Sequence, residues 1–339
     1  MIEVKDRVPT KPNRIKLTNA STGAIEYYIW ERADEPTEDG TPINKELFDS
    51  IATDIESLKS MSNPNLVVNG DFQVWQRGTS FASSEGGYTA DRWMTVGSQI
   101  RKSSVGYMAF SELTSGDRVG QMGIVQMVDV DKRNLLGKEI TLSVSCYATS
   151  NVTAQICIGY NRTNVKSVNV TTARQVFSIT ATVTEEMFYS NGGLYIQAPM
   201  KTTSDVTGAN LFVEWVKLEL GDTATSFVSK PYAEELNVCK YYCNVLENTV
   251  CLSPYQTSKS GDVNALRFYH CYSNTMRVAP SVKPLRIELH HGSSSNATLT
   301  SNTVANIGKA GCEFHVTTNG SLDYSPRLWV RYELDAEIY

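Results

Sequence analysis

The chain lacks the residues most enzymes and membrane proteins display. No stretch approaches the roughly 20 consecutive apolar residues that a helical membrane span requires. No Lys/Arg cluster is present, net charge is -5 and the isoelectric point is about 5.5, so a nucleic-acid partner is disfavoured, because phosphate binding needs a clustered basic field. There is no Gly-x-Ser-x-Gly elbow, phosphate loop, dinucleotide fingerprint or internal repeat. Only four histidines occur, all late, at 270, 290, 291 and 315. His290 and His291 are adjacent, so on a strand they point to opposite faces and do not share a metal. The charged N-terminus, MIEVKDRVPTKP, has no apolar core of the kind a secretory signal carries. Seven cysteines, an odd number at irregular spacing, read as reduced and mostly buried thiols rather than a disulfide framework or zinc site.

What is present is the composition of a β-rich protein: 41% hydrophobic, 20% charged, with abundant Ser, Thr and Asn. At 339 residues it exceeds one ordinary core and suggests several units. Residues 1–62 read as an extended arm with a small β element around AIEYYIWER, then a helix. Thr41 is placed to cap it and Pro42 to open it. Ile43, Leu47, Ile51, Ile55 and Leu58 form one apolar stripe, suited to a short coiled coil between identical subunits or to packing on its own β domain. From 63 to 229 the signals are strands. EITLSVSCYA sets Ile140, Leu142, Val144 and Cys146 against Thr141, Ser143, Ser145 and Tyr147, and QVFSITATV alternates the same way. Such period-two runs predict antiparallel strands with one face in a core and one in water. Residues 230–247 read as a linking helix opened by Pro231. Residues 248–339 read as a last β module closed by RLWVRYELDAEIY, with HHGSSSNATLTSNT as an exposed loop.

Two stretches, NLVVNGDFQVWQRGTSF with YTADRWM, and EWVKLELGDTATSFVSKPYAEELNVCKYY, resemble the opening and closing strands of a jelly-roll β-sandwich. That sandwich is found in bacteriophage tail fibres and tail appendages and is related to carbohydrate-binding modules. The resemblance spans about Pro64 to Tyr242. The run ERADEPTEDGTPINKELFDSI resembles N-terminal segments of tail proteins that anchor the appendage to the virion, and FYHCYSNTMRVAPSV with YELDAEIY resembles the distal module of such fibres. The resemblance implies a mostly β homo-oligomer, a trimer. It would be assembled in the host cytoplasm, docked on a tail, baseplate or other virion protein through residues 1–60, and bound without catalysis to host-surface polysaccharide. A purely structural collar, neck or capsid fibre is the alternative. A polysaccharide-degrading enzyme would need two facing carboxylates, for which Asp71, Asp91, Glu214 and Glu219 are candidates.

Sugar contacts are expected where aromatic and amide side chains face outward. GGLYIQAPM turns Tyr195 and Gln197 out, and AQICIGYN does the same for Gln155. Tyr88, Arg92 and Trp93 of YTADRWM suit either a sugar platform or, for Trp93, the sandwich core with Asp91 and Arg92 pinning a turn. Related carbohydrate-binding jelly rolls often hold a structural calcium ion near their first and last strands, for which Asp71 and Glu214 are the matching carboxylates.

Overall fold

A computed structural model describes residues 14–19, 21–29, 45–81, 87–96, 99–103, 109–112, 122–201, 209–251, 258–260, 263–290, 298–319 and 327–338. The chain forms two compact units, Met1–Ser62 and Asn63–Tyr339. In the first, β1 (Arg14–Thr18) and β2 (Ile25–Ile29) pair as an antiparallel hairpin. Its turn is held by Asn19, whose side-chain oxygen accepts from the backbone N–H of Ser21 and Thr22. Helix α1 (Lys45–Ser62) ends before Asn63–Pro64, where proline cannot continue it. The expected start at Thr41, Pro42 and Ile43 lies outside the described residues. Phe48, Ile51 and Ile55 are exposed, while Leu47 is half-buried. The open stripe is therefore Phe48–Ile51–Ile55, one register position from the expected Leu47 line; the side chain of Leu58 lies outside the described residues.

The second unit begins with a β-sandwich. Its strands are β3 (Ser80–Phe81), β4 (Met94–Val96), β5 (Gln99–Lys102), β6 (Ala109–Glu112), β7 (Met122–Val128), β8 (Glu139–Ala148), β9 (Val152–Ile158), β10 (Asn164–Val170), β11 (Gln175–Thr182), β12 (Leu194–Lys201) and β13 (Asn210–Leu220). A five-stranded sheet runs β10-β9-β12-β7-β4 and a six-stranded sheet runs β11-β8-β13-β6-β5-β3. From β7 to β13 the chain crosses repeatedly between them, as a jelly roll does. The alternation read from EITLSVSCYA holds on one side: Ile140, Leu142, Val144 and Cys146 are wholly buried between the sheets with Ile156, Ile158, Leu194, Ile196, Val216 and Leu218. A bulge in β13 between Val213 and Trp215 lets both Val213 and Val216, three apart, point inward.

NLVVNGDFQVW is not a strand. It is a run of turns fastened by Asn69, a non-glycine residue at φ 56°. The Asn69 amide donates to the carbonyls of Val74 and Asp91 and accepts from the N–H of Val74, and its own carbonyl takes the Trp93 indole N–H at 2.8 Å. These bonds replace the ladder a strand would supply. Gly70 is required beside it: a Cβ there would lie 2.5 Å from the Val216 carbonyl oxygen, and the Gly70 carbonyl accepts from the Val216 N–H.

Helix α2 (Lys132–Leu135) lies between β7 and β8, and α3 (Tyr232–Cys239) follows the sandwich. The expected helix over 230–247 stops at Cys239, because Cys243 opens strand β14 (Cys243–Cys251), whose backbone pairs with the terminal strand. The remaining strands are β15 (Ser258–Ser260), β16 (Val263–Cys271), β17 (Ser281–His290), β18 (Thr298–Ala305), β19 (Gly311–Asn319) and β20 (Arg327–Asp335). They form sheets β14-β20-β17 and β15-β16-β19-β18 around Phe314, Tyr332, Leu328, Val330 and Leu334. The stretch expected as a loop after His290 holds β18, whose Thr- and Ser-rich sequence pairs along β19. Five of the cysteines (146, 157, 239, 243 and 312) are free and buried. Burial pushes the Cys146 thiol up to about 12, leaving it protonated and unreactive.

Candidate functional site

The residues expected to meet sugar in YTADRWM are engaged elsewhere. Trp93 is wholly buried against Phe72, with ring centroids 5.1 Å apart. Arg92, at φ 71°, is also wholly buried. Its guanidinium pairs with Glu337, donates to the Met127 carbonyl and lies 3.8 Å over the Tyr242 ring. Tyr88 donates its hydroxyl to the Ile338 carbonyl at 2.6 Å. None of the three is open to a ligand, and Asp91 and Arg92 do not pair with each other. Their polar groups hold the end of the chain instead.

That attachment is a clamp of buried charge. Arg77 binds Glu333 at 2.6 Å and Glu337 at 3.3 Å, with Asp335 at 3.7 Å. Asp91 accepts from the Gln76 backbone and side chain, and the Gln76 amide in turn donates to the Cys243 carbonyl and accepts from the Val245 N–H. Arg277 donates to the carbonyls of Ala336 and Glu337, both at 2.8 Å. Met127, Tyr242 and Ile338 add an apolar seam. The sandwich and the distal module are thus locked together by the stretches that looked like a binding motif.

Burial raises the Asp91 carboxyl to about 6, against the opposing pull of Arg77 and the two Gln76 bonds. A raised folded-state pKa favours the protonated form, so the stability it confers is complete below pH 4 and falls away as pH rises through 6. Between pH 4 and 7 the wild type should lose about 3 kcal/mol that Asp91→Asn does not lose, at roughly 1.4 kcal/mol per pKa unit. Parallel urea titrations across that range test this, and equal slopes would refute it.

The expected sugar face on the five-stranded sheet is also covered. Gln197 is buried, and Gln155 is half-buried with its amide on Ser167 at 3.3 Å. Tyr195 is half-buried, edge-on to Tyr160, and packs beside the Met127–Tyr242–Ile338 seam. That burial pushes its phenol up to about 12. The distal module sits where a ligand was expected. The two carboxylates matched to calcium are held apart by separate partners: Asp71 by Gln73 and Ser229, Glu214 by Ser145 and Arg174. Among the described residues no group of three or more His, Cys, Asp or Glu is placed to hold a metal ion. Asp91 and Glu219 are wholly buried, out of reach of any substrate.

The outer face of the six-stranded sheet divides in two. Its lower part, expected to be wet, is roofed by residues 221–229. Phe227 stacks on Trp215 at 4.9 Å, Thr225 binds Glu219, and Lys217 donates to the Ser226 carbonyl. Thr141, Ser143 and Ser145 are buried as a result. Beyond the roof, Tyr147 of β8 and Phe212 of β13 are direct cross-strand partners and half-buried. Their rings stack with centroids 4.7 Å apart and planes within 12°. The Arg174 guanidinium lies 5.7 Å over the Tyr147 ring and binds Glu214, which also accepts from Ser145 at 2.9 Å. Phe212 and Glu214, two apart on β13, share this face by simple alternation, and the bulge that follows turns Trp215 onto it as well. Tyr147 was legible as outward-facing; Phe212 and Glu214 follow from the same alternation against the buried Leu211 and Val213, while Arg174 lies on a turn, which periodicity does not register.

No protein-family model matches the chain, and no curated protein does. Among solved structures it is similar to one titled "CBM4 structure and function" (17% identity, 38% of this chain and 95% of that one, TM-score 0.30). It is also similar to the N-terminal cellulose-binding domain of Cellulomonas fimi β-1,4-glucanase C (15%, 42% and 99%, TM-score 0.31). A third is the CBM22-1 xylan-binding domain from Paenibacillus barcinonensis (10%, 48% and 97%, TM-score 0.27).

Proposed function

We propose that this protein is a non-catalytic, glycan-binding adhesion protein of a bacteriophage tail fibre or tail appendage. The observation that carries the binding role is the Tyr147–Phe212 stack with Arg174, Glu214 and Ser145 beside it, at the end of a sheet beyond residues 221–229. Aromatic surface of this kind takes the C–H face of a pyranose, and the adjacent guanidinium, carboxylate and hydroxyl match sugar hydroxyls. The virion assignment rests on the tail-protein resemblance of the arm and of the two sandwich stretches. In this reading residues 1–62 dock and oligomerise, 63–229 bind, 230–247 link and 248–339 form the distal module. The exposed Phe48, Ile51 and Ile55 recur at three and four residues, the spacing of a coiled-coil seam, and support trimerisation through α1. Single sugar sites are weak, and linked copies on one virion raise avidity on the order of 10²–10⁴-fold.

Surface plasmon resonance of the oligomer over immobilised wall polysaccharide of the bacterial host tests the reading. Tyr147→Ala and Phe212→Ala together should weaken binding about tenfold or more, while the sandwich keeps a cooperative melting transition at a modestly lower temperature. An oligomer that ignores the polysaccharide would hand the case to a purely structural fibre.

A further inference from the structure

The distal module carries an aromatic grid of its own. On the outer face of β14-β20-β17, Trp329 is a tryptophan with 41% of its surface exposed. Around it the register places charges of both signs: Glu247 opposite Arg331, Arg331 opposite Arg286, and Glu288 opposite Trp329. Arg286 donates to both Glu288 carboxylate oxygens at 2.7 Å and sets its guanidinium 5.7 Å over the indole. The same strand's next outward acids, Glu333 and Asp335, are taken by Arg77, so the clamp fixes this sheet at the end away from Trp329.

A large aromatic kept half in water, on a strand whose opposite face is wholly core, is the unusual feature. The surroundings select what it meets. Arg286 and Arg331 are balanced by Glu247 and Glu288, so the patch has no net charge to recruit an anionic polymer. One indole ringed by charged groups does not offer the contiguous apolar area a protein interface core needs. Fixed donors and acceptors around an aromatic face suit a polyhydroxylated, uncharged ring. We propose that Trp329, with Arg286 and Glu288, is a second saccharide site, separate from Tyr147–Phe212, for uncharged pyranosides. It rests on the same reading of aromatic grids as sugar platforms, carried by different residues in a different module.

Affinity electrophoresis of the full chain through gels containing soluble glucan, mannan, galactan, xylan or, as a polyanion, alginate tests it. The expected result is retardation by at least one uncharged polymer and a dissociation constant about tenfold higher in Trp329→Ala. Trp329→Tyr should keep most of the binding, and residual binding by the Tyr147→Ala/Phe212→Ala double variant should vanish when Trp329→Ala is added. Near-ultraviolet circular dichroism checks that each variant is folded. Equal mobility of Trp329→Ala and wild type would overturn the second site, and if the double variant is impaired the sandwich site stands alone. Retardation by alginate only would overturn the uncharged class. Failure of every polymer to retard the wild type would remove both readings together.

Discussion

Replacing Glu337 by alanine should cost about 3–5 kcal/mol of stability, a large share of what holds a domain folded. The Glu337 carboxylate is wholly buried and bridges two arginines, Arg92, itself wholly buried, and Arg77. Breaking a buried pair from one side leaves its partner as an uncompensated charge out of water, and here Arg92 loses its anion altogether. Arg77 would retain Glu333 and Asp335, so most of the penalty falls on Arg92. Glu337→Gln keeps the shape and one acceptor but not the charge, so it should fall between alanine and wild type. Urea unfolding monitored by tryptophan fluorescence measures this, read as a midpoint shift at constant slope. A loss below 1 kcal/mol in alanine would mean that water reaches Arg92 and that the clamp is not a dry ion pair.

This clamp is also where sequence reading and structure part most instructively. The inward faces of β8 and β20 were legible because burial there obeys a period of two, and Leu328, Val330, Tyr332, Leu334 and Ala336 all lie in the distal core. Outward faces carry no such signal. Thr141 and Tyr147 read alike as exposed, yet a roof that arrives some 80 residues later covers one and spares the other. The same limit misplaced Tyr195 and Gln197, because nothing within β12 announces that Tyr242 and Ile338 will lie against its sheet. One signal was available: Glu333, Asp335 and Glu337 stand at alternate positions along and just past strand β20, an acidic row that calls for cations. Arg77 supplies one from the stretch that read as an opening strand, and Arg92 the other from YTADRWM, which read as a sugar platform or a pinned turn.

Deleting residues 243–339 should therefore abolish a folded sandwich rather than yield a free-standing binding domain. The cut removes the partners of Arg77, Arg92 and Gln76 and uncovers Met127 and the Tyr195 edge of the five-stranded sheet. Two arginines fixed in a largely apolar setting would lose their ion-pair partners, with Asp91 left beside Arg77, and re-solvating them means opening the Asn69 turn that carries Trp93. Removing the ion-pair partners alone costs about 3–5 kcal/mol, and stripping the apolar seam adds about 1.5–3 kcal/mol for each large side chain re-exposed. Those losses together rival the whole stability of an ordinary domain, about 5–15 kcal/mol. The truncated chain should be insoluble, or show dye-binding apolar surface and no sharp melting transition in calorimetry. A soluble fragment that melts as cooperatively as the intact protein would refute the clamp as the stabilising element. The consequence for function is direct: binding lost on truncation says nothing about which module binds, because both fall together. The two aromatic grids are separated instead by point substitutions on their rings, which leave Arg77, Arg92 and Glu337 undisturbed.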